Sequence, residues 1–200
     1  MPRGPVRDPQ AVRNDVVAAC KRLIVERGVR AVRLRDVLAH SGVSNGQFYG
    51  VFAALDEAIL MVNTETLRRL EERLGEMIQA KAEPTERLVA FAQIYLAFAR
   101  EETPLWRALF EWTLAVEQVG GAELLRADQQ RLFAYPAAPL LELYPGLSQE
   151  DVLIRARTLF SAVHGIVAIS LESRYAGVAA ERLEDELTGL VRAAVRGYLD

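Results

Sequence analysis

Residues 34–52, LRDVLAHSGVSNGQFYGVF, constrain the fold more than any other stretch, because they predict two short helices joined by a glycine turn. Gly42 can adopt the positive φ that a tight interhelical turn requires. Ser44 is a good N-cap residue, and Gln47 three residues later completes a Ser-x-x-Gln capping box, so a new helix begins there. The pattern predicts a helix-turn-helix.

The second of these helices is predicted to present a face without acidic residues. Phe48 and Phe52 are four residues apart, which places them on one side of the helix, facing the core. The other side then carries Asn45, Gln47 and Tyr49. A short helix with a small, polar and aromatic exposed face suits the DNA major groove, so we interpret it as a recognition helix.

The stretch from Val12 to about Leu60 resembles the N-terminal DNA-binding domain of the TetR family of bacterial transcriptional regulators. The resemblance rests on short motifs in the same order and at matching spacings, namely Glu26-Arg27-Gly28, Arg35-Asp36-Val37, Gly42-Val43-Ser44, Gly46-x-Phe48-Tyr49 and Phe52. It implies a helix-turn-helix DNA-binding domain in residues 1–53 and a helical effector-binding and dimerisation domain in residues 54–200.

Helix signals continue along the whole chain, and nowhere do four or more β-branched or aromatic residues alternate as a strand would require. Caps, prolines and glycines predict seven further helices. They run from Asp8-Pro9 to Gly28, Ala54 to Ala80, Thr85 to Arg100, Thr103 to Val119, Gly121 to Leu143 with interruptions at Pro136 and Pro139, Ser148 to Tyr175, and Ala180 to Leu199. Nine helices make an all-α protein, with three in the head and six in the body.

The net charge of −3 conceals an asymmetry between the two parts of the chain. Residues 1–50 contain nine Lys/Arg and four Asp/Glu, whereas the remaining 150 residues contain 15 basic and 23 acidic groups. A basic N-terminal quarter is what a nucleic-acid-binding head would show. The alternative is ordinary solvated charge.

By comparison with the family, five residues are candidates for contacts with a double-stranded DNA operator. Arg35, Asn45 and Gln47 would reach base edges, with arginine favouring guanine and the two amides adenine. Tyr49 and the hydroxyl and amide of Ser44 would contact phosphates. A twofold dimer would read an inverted repeat, with its recognition helices about 34–36 Å apart.

The chain departs from the family at positions that usually hold lysine. Asn45 stands between Ser44 and Gly46 where a lysine is usual, and Leu55 replaces the lysine that normally begins the fourth helix. Each lost phosphate contact weakens binding to every DNA sequence alike. Two functions therefore stay open: a ligand-responsive repressor, or a helical ligand-binding dimer that has lost operator binding.

The last two helices are expected to form the homodimer interface. Residues 159–171 are apolar nearly all round, and a helix without a polar face in a soluble protein must be covered on both sides. The resemblance implies that this helix and the terminal one pair with their copies. The alternative is that both are intradomain core. The motif Phe160-x-x-x-His164-Gly165 also resembles a "Trp-His-Gly" segment of some family members, without the tryptophan.

The family also implies a pocket for a small-molecule effector within the body. Aromatic residues and one histidine are the candidates, although each is more simply explained as core. They are Phe91, Tyr95, Phe98, Trp106, Phe110 and His164, with Trp112 and Phe133 as further candidates.

Other classes of protein find little support in the residues. Cys20 is the only cysteine and is expected to be buried, so neither an intrachain disulfide nor a thiolate cluster can form. His40 and His164 lack the Glu-x-x-His spacing of di-iron bundles, and no phosphate-binding glycine loop or nucleophile elbow occurs. We expect no enzyme activity, cofactor or metal. The absence of a signal peptide or long apolar run predicts a cytoplasmic protein without a membrane partner.

Overall fold

The computed structural model describes residues 7–78, 83–112, 122–172 and 176–197. Within these ranges the chain forms nine α-helices and no strand, which confirms the all-α fold class. In chain order they are α1 (Pro9–Arg27), α2 (Leu34–Ser41), α3 (Asn45–Tyr49), α4 (Leu55–Ile78), α5 (Pro84–Glu101), α6 (Thr103–Glu111), α7 (Ala122–Leu143), α8 (Gln149–Ser170) and α9 (Leu183–Gly197). A 3-10 turn, Val29–Ala31, follows α1.

The helix boundaries follow the caps that the sequence provides. The Asp8 carboxylate accepts a hydrogen bond from the backbone N–H of Gln10 at 3.2 Å, and Gly28 ends α1 with a φ of 77°. At α8 the Ser148 hydroxyl accepts from the N–H of Asp151 at 3.1 Å. These bonds satisfy N–H groups that the first helical turn leaves without intrahelical partners.

The structure differs from the predicted helices in three places. The α7 helix continues through Pro136 and Pro139, where the sequence predicted interruptions. Each proline removes one backbone hydrogen bond, but both rings are buried, so their packing offsets the loss. The α8 helix ends at Ser170 instead of near Tyr175, and α9 begins at Leu183 instead of near Ala180. The predicted ends at Ala80, Val119 and Leu199 lie outside the described residues.

The chain divides into two compact units. The first contains Met1–Leu67 and Glu102–Arg126, and the second contains Arg68–Glu101 and Ala127–Asp200. The first unit therefore adds α6 and the first part of α4 to the three head helices. The division of function at residue 53 stays a prediction.

The core of the first unit forms around α1, which contacts α2, α3, α6 and the 3-10 turn. Apolar residues three and four positions apart give α1 a continuous buried stripe. Its buried members are Val12, Val16, Val17, Ala19, Cys20, Leu23 and Ile24. They pack in one cluster with Val37 of α2, Phe48 of α3 and Phe52. Burying this stripe fixes the positions of the short helices that could not be stable alone.

The second unit is organised around α5, which buries ten of its eighteen residues and packs against α8 and α9. The stripe of Leu183, Leu187, Val191 and Val195 buries one face of α9, while the charged residues of that helix lie on its exposed side. The hydroxyl of Tyr144 donates to the backbone carbonyl of Val195 and holds the end of α9.

Gly42 supplies a test of the interhelical turn. It ends α2 with a φ of 66°, in the left-handed region, where an L-residue costs roughly 1–2 kcal/mol. We expect Gly42→Ala to lower the free energy of unfolding by about that amount, as measured by urea denaturation. Gly46→Ala is the matched control, since Gly46 is helical and a Cβ there meets nothing within 4 Å. Equal effects of the two substitutions would contradict the assigned turn geometry.

Cys20 is fully buried in α1, and desolvation raises the pKa of its thiol to about 12. Because the thiolate is the reactive form, we expect the native protein to react with Ellman's reagent at pH 8 at least 100-fold more slowly than the urea-unfolded chain. Labelling of the native protein at the unfolded rate would contradict this burial.

Candidate DNA-binding surface

The capping box at the start of α3 is complete. The Ser44 hydroxyl oxygen accepts from the backbone N–H of Gln47 at 3.3 Å, and the Ser44 N–H donates to Gln47 Oε1 at 2.9 Å. These two reciprocal bonds stabilise the first turn of a helix of only five residues. They also fix the side-chain conformation of Gln47.

The buried face of α3 is the one that the sequence predicted, whereas Gln47, predicted on the exposed face, is half-buried. Phe48 and Phe52 are buried, with ring centroids 5.5 Å apart, and they hold the inner side of α3 in the core. Asn45 is exposed, and so is Tyr49, with 55% of its surface accessible. The rings of Phe48 and Tyr49 form a T-shaped pair with their centroids 5.2 Å apart, and this contact limits where the phenol can point.

The capping box restricts what Gln47 and Ser44 can offer to DNA. Reading adenine with both groups of an amide requires a free acceptor and a free donor. In this conformation Gln47 Oε1 already accepts from the Ser44 amide, so one lone pair of that oxygen, the Nε2 donor and the Ser44 hydroxyl proton are the groups left. No hydrogen bond occupies the Asn45 side chain among the described residues, so it retains both an acceptor and a donor.

The arginine side chains of the first unit differ in how freely they can reach a phosphate or a base. The Arg35 side chain is 87% exposed, and its Nε lies 3.5 Å from a carboxylate oxygen of the adjacent Asp36. In contrast, Arg33 donates to the backbone carbonyls of Arg30 and Val32 at 2.7 and 3.0 Å. Arg33 thereby closes the turn before α2, while Arg35 stands open to solvent.

Two further arginines of the first unit, Arg7 and Arg13, contact side chains of that unit. Arg13 lies over the Phe52 ring at 5.1 Å, and Arg7 forms an ion pair with Asp15. Both described arginines are thus oriented by contacts within the first unit.

The start of α4 holds an apolar residue instead of a cation. Leu55 is half-buried and packs against the core of the first unit. The Glu57 carboxylate accepts from the backbone N–H of Ala53 at 2.7 Å and caps the helix. The first turn of α4 therefore offers DNA no positive side chain.

In the second unit, several of the predicted pocket residues form one aromatic cluster. Tyr95 Oη lies 2.7 Å from His164 Nδ1, a hydrogen-bond distance. Phe160 joins them, with its ring stacked on His164 at 5.9 Å and edge-on to Tyr95 at 5.3 Å and Phe133 at 5.4 Å. Phe91 contacts Phe160 at 6.5 Å. Phe160 was not among the predicted pocket residues, although its position one helical turn before His164 places both on one face.

His164 is half-buried, and desolvation lowers its pKa below the usual range. The imidazole is therefore neutral at physiological pH and is satisfied by Tyr95. This arrangement is that of a histidine within a core.

The other predicted pocket residues lie apart from that cluster. Phe98 is buried beneath the guanidinium of Arg73, which lies 5.4 Å from its ring centroid. Trp106 and Phe110 belong to the first unit, where their rings contact each other at 5.6 Å. The six residues thus do not line a single cavity within either unit.

A groove of about 550 Å³ opens beside α5 in the second unit. It combines apolar and charged side chains, and none of the six predicted pocket residues lines it. Its charged members are Arg73, Glu76, Arg100, Glu101 and Glu184. Arg73 and Glu101 form an ion pair across it at 2.5 Å.

Two further properties concern metals and membranes. Among the described residues, no group of three or more His, Cys, Asp or Glu side chains is placed to hold a metal ion.

In that same part of the chain, α8 alone has the length and mean hydropathy that crossing a membrane would require. This observation is weak, because the core helix of a soluble protein has the same composition, and one face of α8 packs in the second unit.

Comparison with known proteins connects this geometry to a family. Residues 88–194 match the family described as "Tetracyclin repressor-like, C-terminal domain". No protein of curated function matches the sequence.

Solved structures share the fold over nearly the whole chain. A protein of unknown function from a Rhodococcus species has a TM-score of 0.75 at 17% identity, with 98% of both chains covered. A putative transcriptional regulator from Saccharomonospora viridis in complex with choline has a TM-score of 0.70 at 18% identity, covering 92% of this chain and 96% of its own. The TetR-family regulator PfmR from Thermus thermophilus has a TM-score of 0.64 at 17% identity, covering 90% and 97%.

The family match spans more than half of the sequence, and the all-α fold agrees with that of the similar structures. The chain belongs to the TetR family of transcriptional regulators.

Proposed function

We propose that this protein is a ligand-responsive repressor that binds an inverted-repeat DNA operator as a homodimer. The observation that carries the proposal is the exposed face of α3, which is polar and aromatic and contains no acidic residue. An acid-free short helix at the surface of a basic N-terminal segment is suited to the phosphate-lined major groove.

Within this proposal the five candidate residues have different tasks. Asn45 has both amide groups available, so it is the side chain best able to read adenine. Gln47 contributes its Nε2 donor while its oxygen supports the helix, and Arg35 reaches a guanine or a phosphate. Tyr49 and the hydroxyl of Ser44 donate to phosphates and set the register of the helix.

The regulatory part of the proposal is a small-molecule effector bound in the second unit. A relative of the same fold was solved in complex with choline, and the cluster of Tyr95, Phe160 and His164 offers aromatic faces. A ligand that binds better to the conformation unable to engage DNA would shift the population toward it. The chemical class of that ligand stays open.

The homodimer is supported by the outward side of α8. Ile154 and Ile169 are large apolar side chains that the chain alone leaves exposed on this side, and this fits a surface covered by a second subunit. In the dimer, α8 and α9 would pair with their copies and hold two recognition helices about one helical turn of DNA apart.

We further propose that the protein acts without enzymatic activity, cofactor or metal, and in the cytoplasm. Relatives with this fold are transcriptional regulators, whose DNA target lies in that compartment in bacteria. The apolar composition of α8 is then a consequence of its place between its own core and the second subunit.

A second candidate function is a ligand-binding helical dimer without an operator. Leu55 and Asn45 favour it, because both replace lysines that would contact phosphate. The two candidates differ in one measurable property, since only the repressor discriminates its operator from other DNA.

We expect Asn45→Ala to weaken operator binding by about 1–3 kcal/mol while leaving non-specific binding unchanged, because an amide that reads a base carries specificity. Tyr49→Ala should weaken binding to operator and unrelated DNA alike, because a phosphate contact is independent of sequence. Fluorescence anisotropy with both DNAs measures the two effects. Asn14→Ala, an exposed amide on α1, is the control. If both variants bind the operator as the wild type does, α3 is not the recognition helix.

We expect Ile154→Glu to convert the dimer to a monomer, because the substitution places a charge in an apolar interface that cannot pair it. Val25→Glu is a matched control, since Val25 and Ile154 are both 52% exposed but lie on different units. Sedimentation equilibrium measures the mass of each variant. A dimer in both, or a monomer in both, would contradict the role of α8.

A further inference from the structure

The groove beside α5 runs along one face of that helix. Its α5 members extend from Ala90 to Glu101, a distance of about 16 Å at the rise of an α-helix. Ala90, Ile94 and Leu96 are buried and give the groove an apolar floor, and the short side chain of Ala97 leaves its middle open to solvent. An elongated groove with an apolar floor fits an extended aliphatic chain.

The two arginines of the groove are engaged by other groups of the protein. Arg73 donates to the Glu101 carboxylate at 2.5 Å, so these two charges neutralise each other. Arg100 donates to the backbone carbonyl of Ala180 at 2.6 Å, which directs its guanidinium toward the segment that precedes α9. Both guanidinium groups are therefore held by the chain itself.

Two carboxylates of the groove, in contrast, are not paired. Glu76 of α4 and Glu184 of α9 are both exposed, and neither forms an ion pair within the part of the chain that the structure describes. With two arginines against three glutamates, the groove has one negative charge in excess. Unpaired carboxylates that reach one groove from two different helices attract a cationic ligand.

The side chain of Gln93 adds a third acceptor. The Thr188 hydroxyl donates its proton to the backbone carbonyl of Glu184 at 2.9 Å. The hydroxyl oxygen can then only accept from Gln93, whose Nε2 lies 3.2 Å away. This fixes the orientation of the amide and leaves Gln93 Oε1 without a hydrogen bond among the described residues. The unpaired side chains of the groove thus offer acceptors, which an N–H donor would complement.

Gln93 and Glu184 lie close together along the groove. The α5 and α9 helices run in opposite directions, because Gln93 contacts Thr188 while the first turn of α5 forms an ion pair with the C-terminal half of α9. Glu184 precedes Thr188 by one turn, so it is level with Ala97, one turn after Gln93. A charged head group above Ala97 can therefore reach both acceptors, while the apolar floor continues toward the first turn of α5.

We propose that this groove binds a linear aliphatic amine. The ammonium group donates to Glu184 and to Gln93 Oε1 above Ala97, and the chain lies along the apolar floor. Glu76 adds negative charge from α4. The site is separate from the aromatic cluster of the second unit, and it stands whether or not the protein binds an operator.

Isothermal titration calorimetry with ligands of equal chain length tests the charge preference. We expect n-hexylamine to bind about tenfold more tightly than hexanoate, because the unpaired carboxylates attract an ammonium group and repel a carboxylate. Hexanol, which is uncharged, should have an affinity between the two. The preference for the amine should decrease as sodium chloride is added, since salt screens exposed charges.

Two variants locate the bound amine. Ala97→Phe fills the middle of the groove and should abolish binding of hexylamine, and because Ala97 is exposed the substitution leaves the core intact. Glu184→Gln should weaken binding about fivefold, as expected for an exposed charge pair. Asp185→Asn is the matched control, since it removes the same charge from the next residue of α9, which does not line the groove. Circular dichroism of each variant verifies that it is folded.

Three results would overturn the proposal. Hexanoate that binds as tightly as hexylamine would show that the arginines set the preference. Hexylamine that binds equally to wild type, Ala97→Phe and Glu184→Gln would lie elsewhere on the protein, and the third such result is no binding to the wild type at millimolar concentrations. These readouts need no DNA, so a wild type without an operator would contradict the repressor and leave the amine site standing.

Discussion

The burial of Phe48 and Phe52 is the interaction on which the surface of the first unit depends. Their rings contact each other at 5.5 Å in the core that α1 organises, and they fix the rotation of α3 about its own axis. A helix of five residues has no stability of its own, so this packing and the capping box hold it in place. Asn45 and Tyr49 are exposed because Phe48 is buried.

In the second unit, α8 likewise has one buried face and one exposed face. The inner stripe of α8 packs in the core, its His164 meets Tyr95, and its outer stripe is left to solvent in the single chain. A change in the core around His164 would therefore act on the helix that we propose forms the dimer contact. This is a physical route by which an effector near the aromatic cluster would alter the spacing of two recognition helices.

Local signals in the sequence predicted the caps and the turn, because Asp8, Gly28, Gly42 and Ser44 act within a few residues of themselves. The α7 helix was predicted with interruptions because the burial that offsets two prolines is a tertiary effect. Gln47 was assigned a base contact and a capping bond at once, and the structure shows the capping bond, which leaves the Nε2 donor and the second lone pair of the oxygen for a base. Phe160 was missed because Phe91 and Tyr95 of α5 and Phe133 of α7 are brought to it only by tertiary packing.

The central claim is that the exposed face of α3 reads a specific operator as part of a dimer. The most direct measurement is fluorescence anisotropy of the wild-type protein with genomic fragments, including the promoter of its own gene, across a salt series. The account predicts tight binding to one fragment, with affinity that falls steeply as salt rises, as expected for several phosphate contacts. Equally weak binding to every fragment, with and without candidate ligands, would contradict it and favour the ligand-binding dimer without an operator.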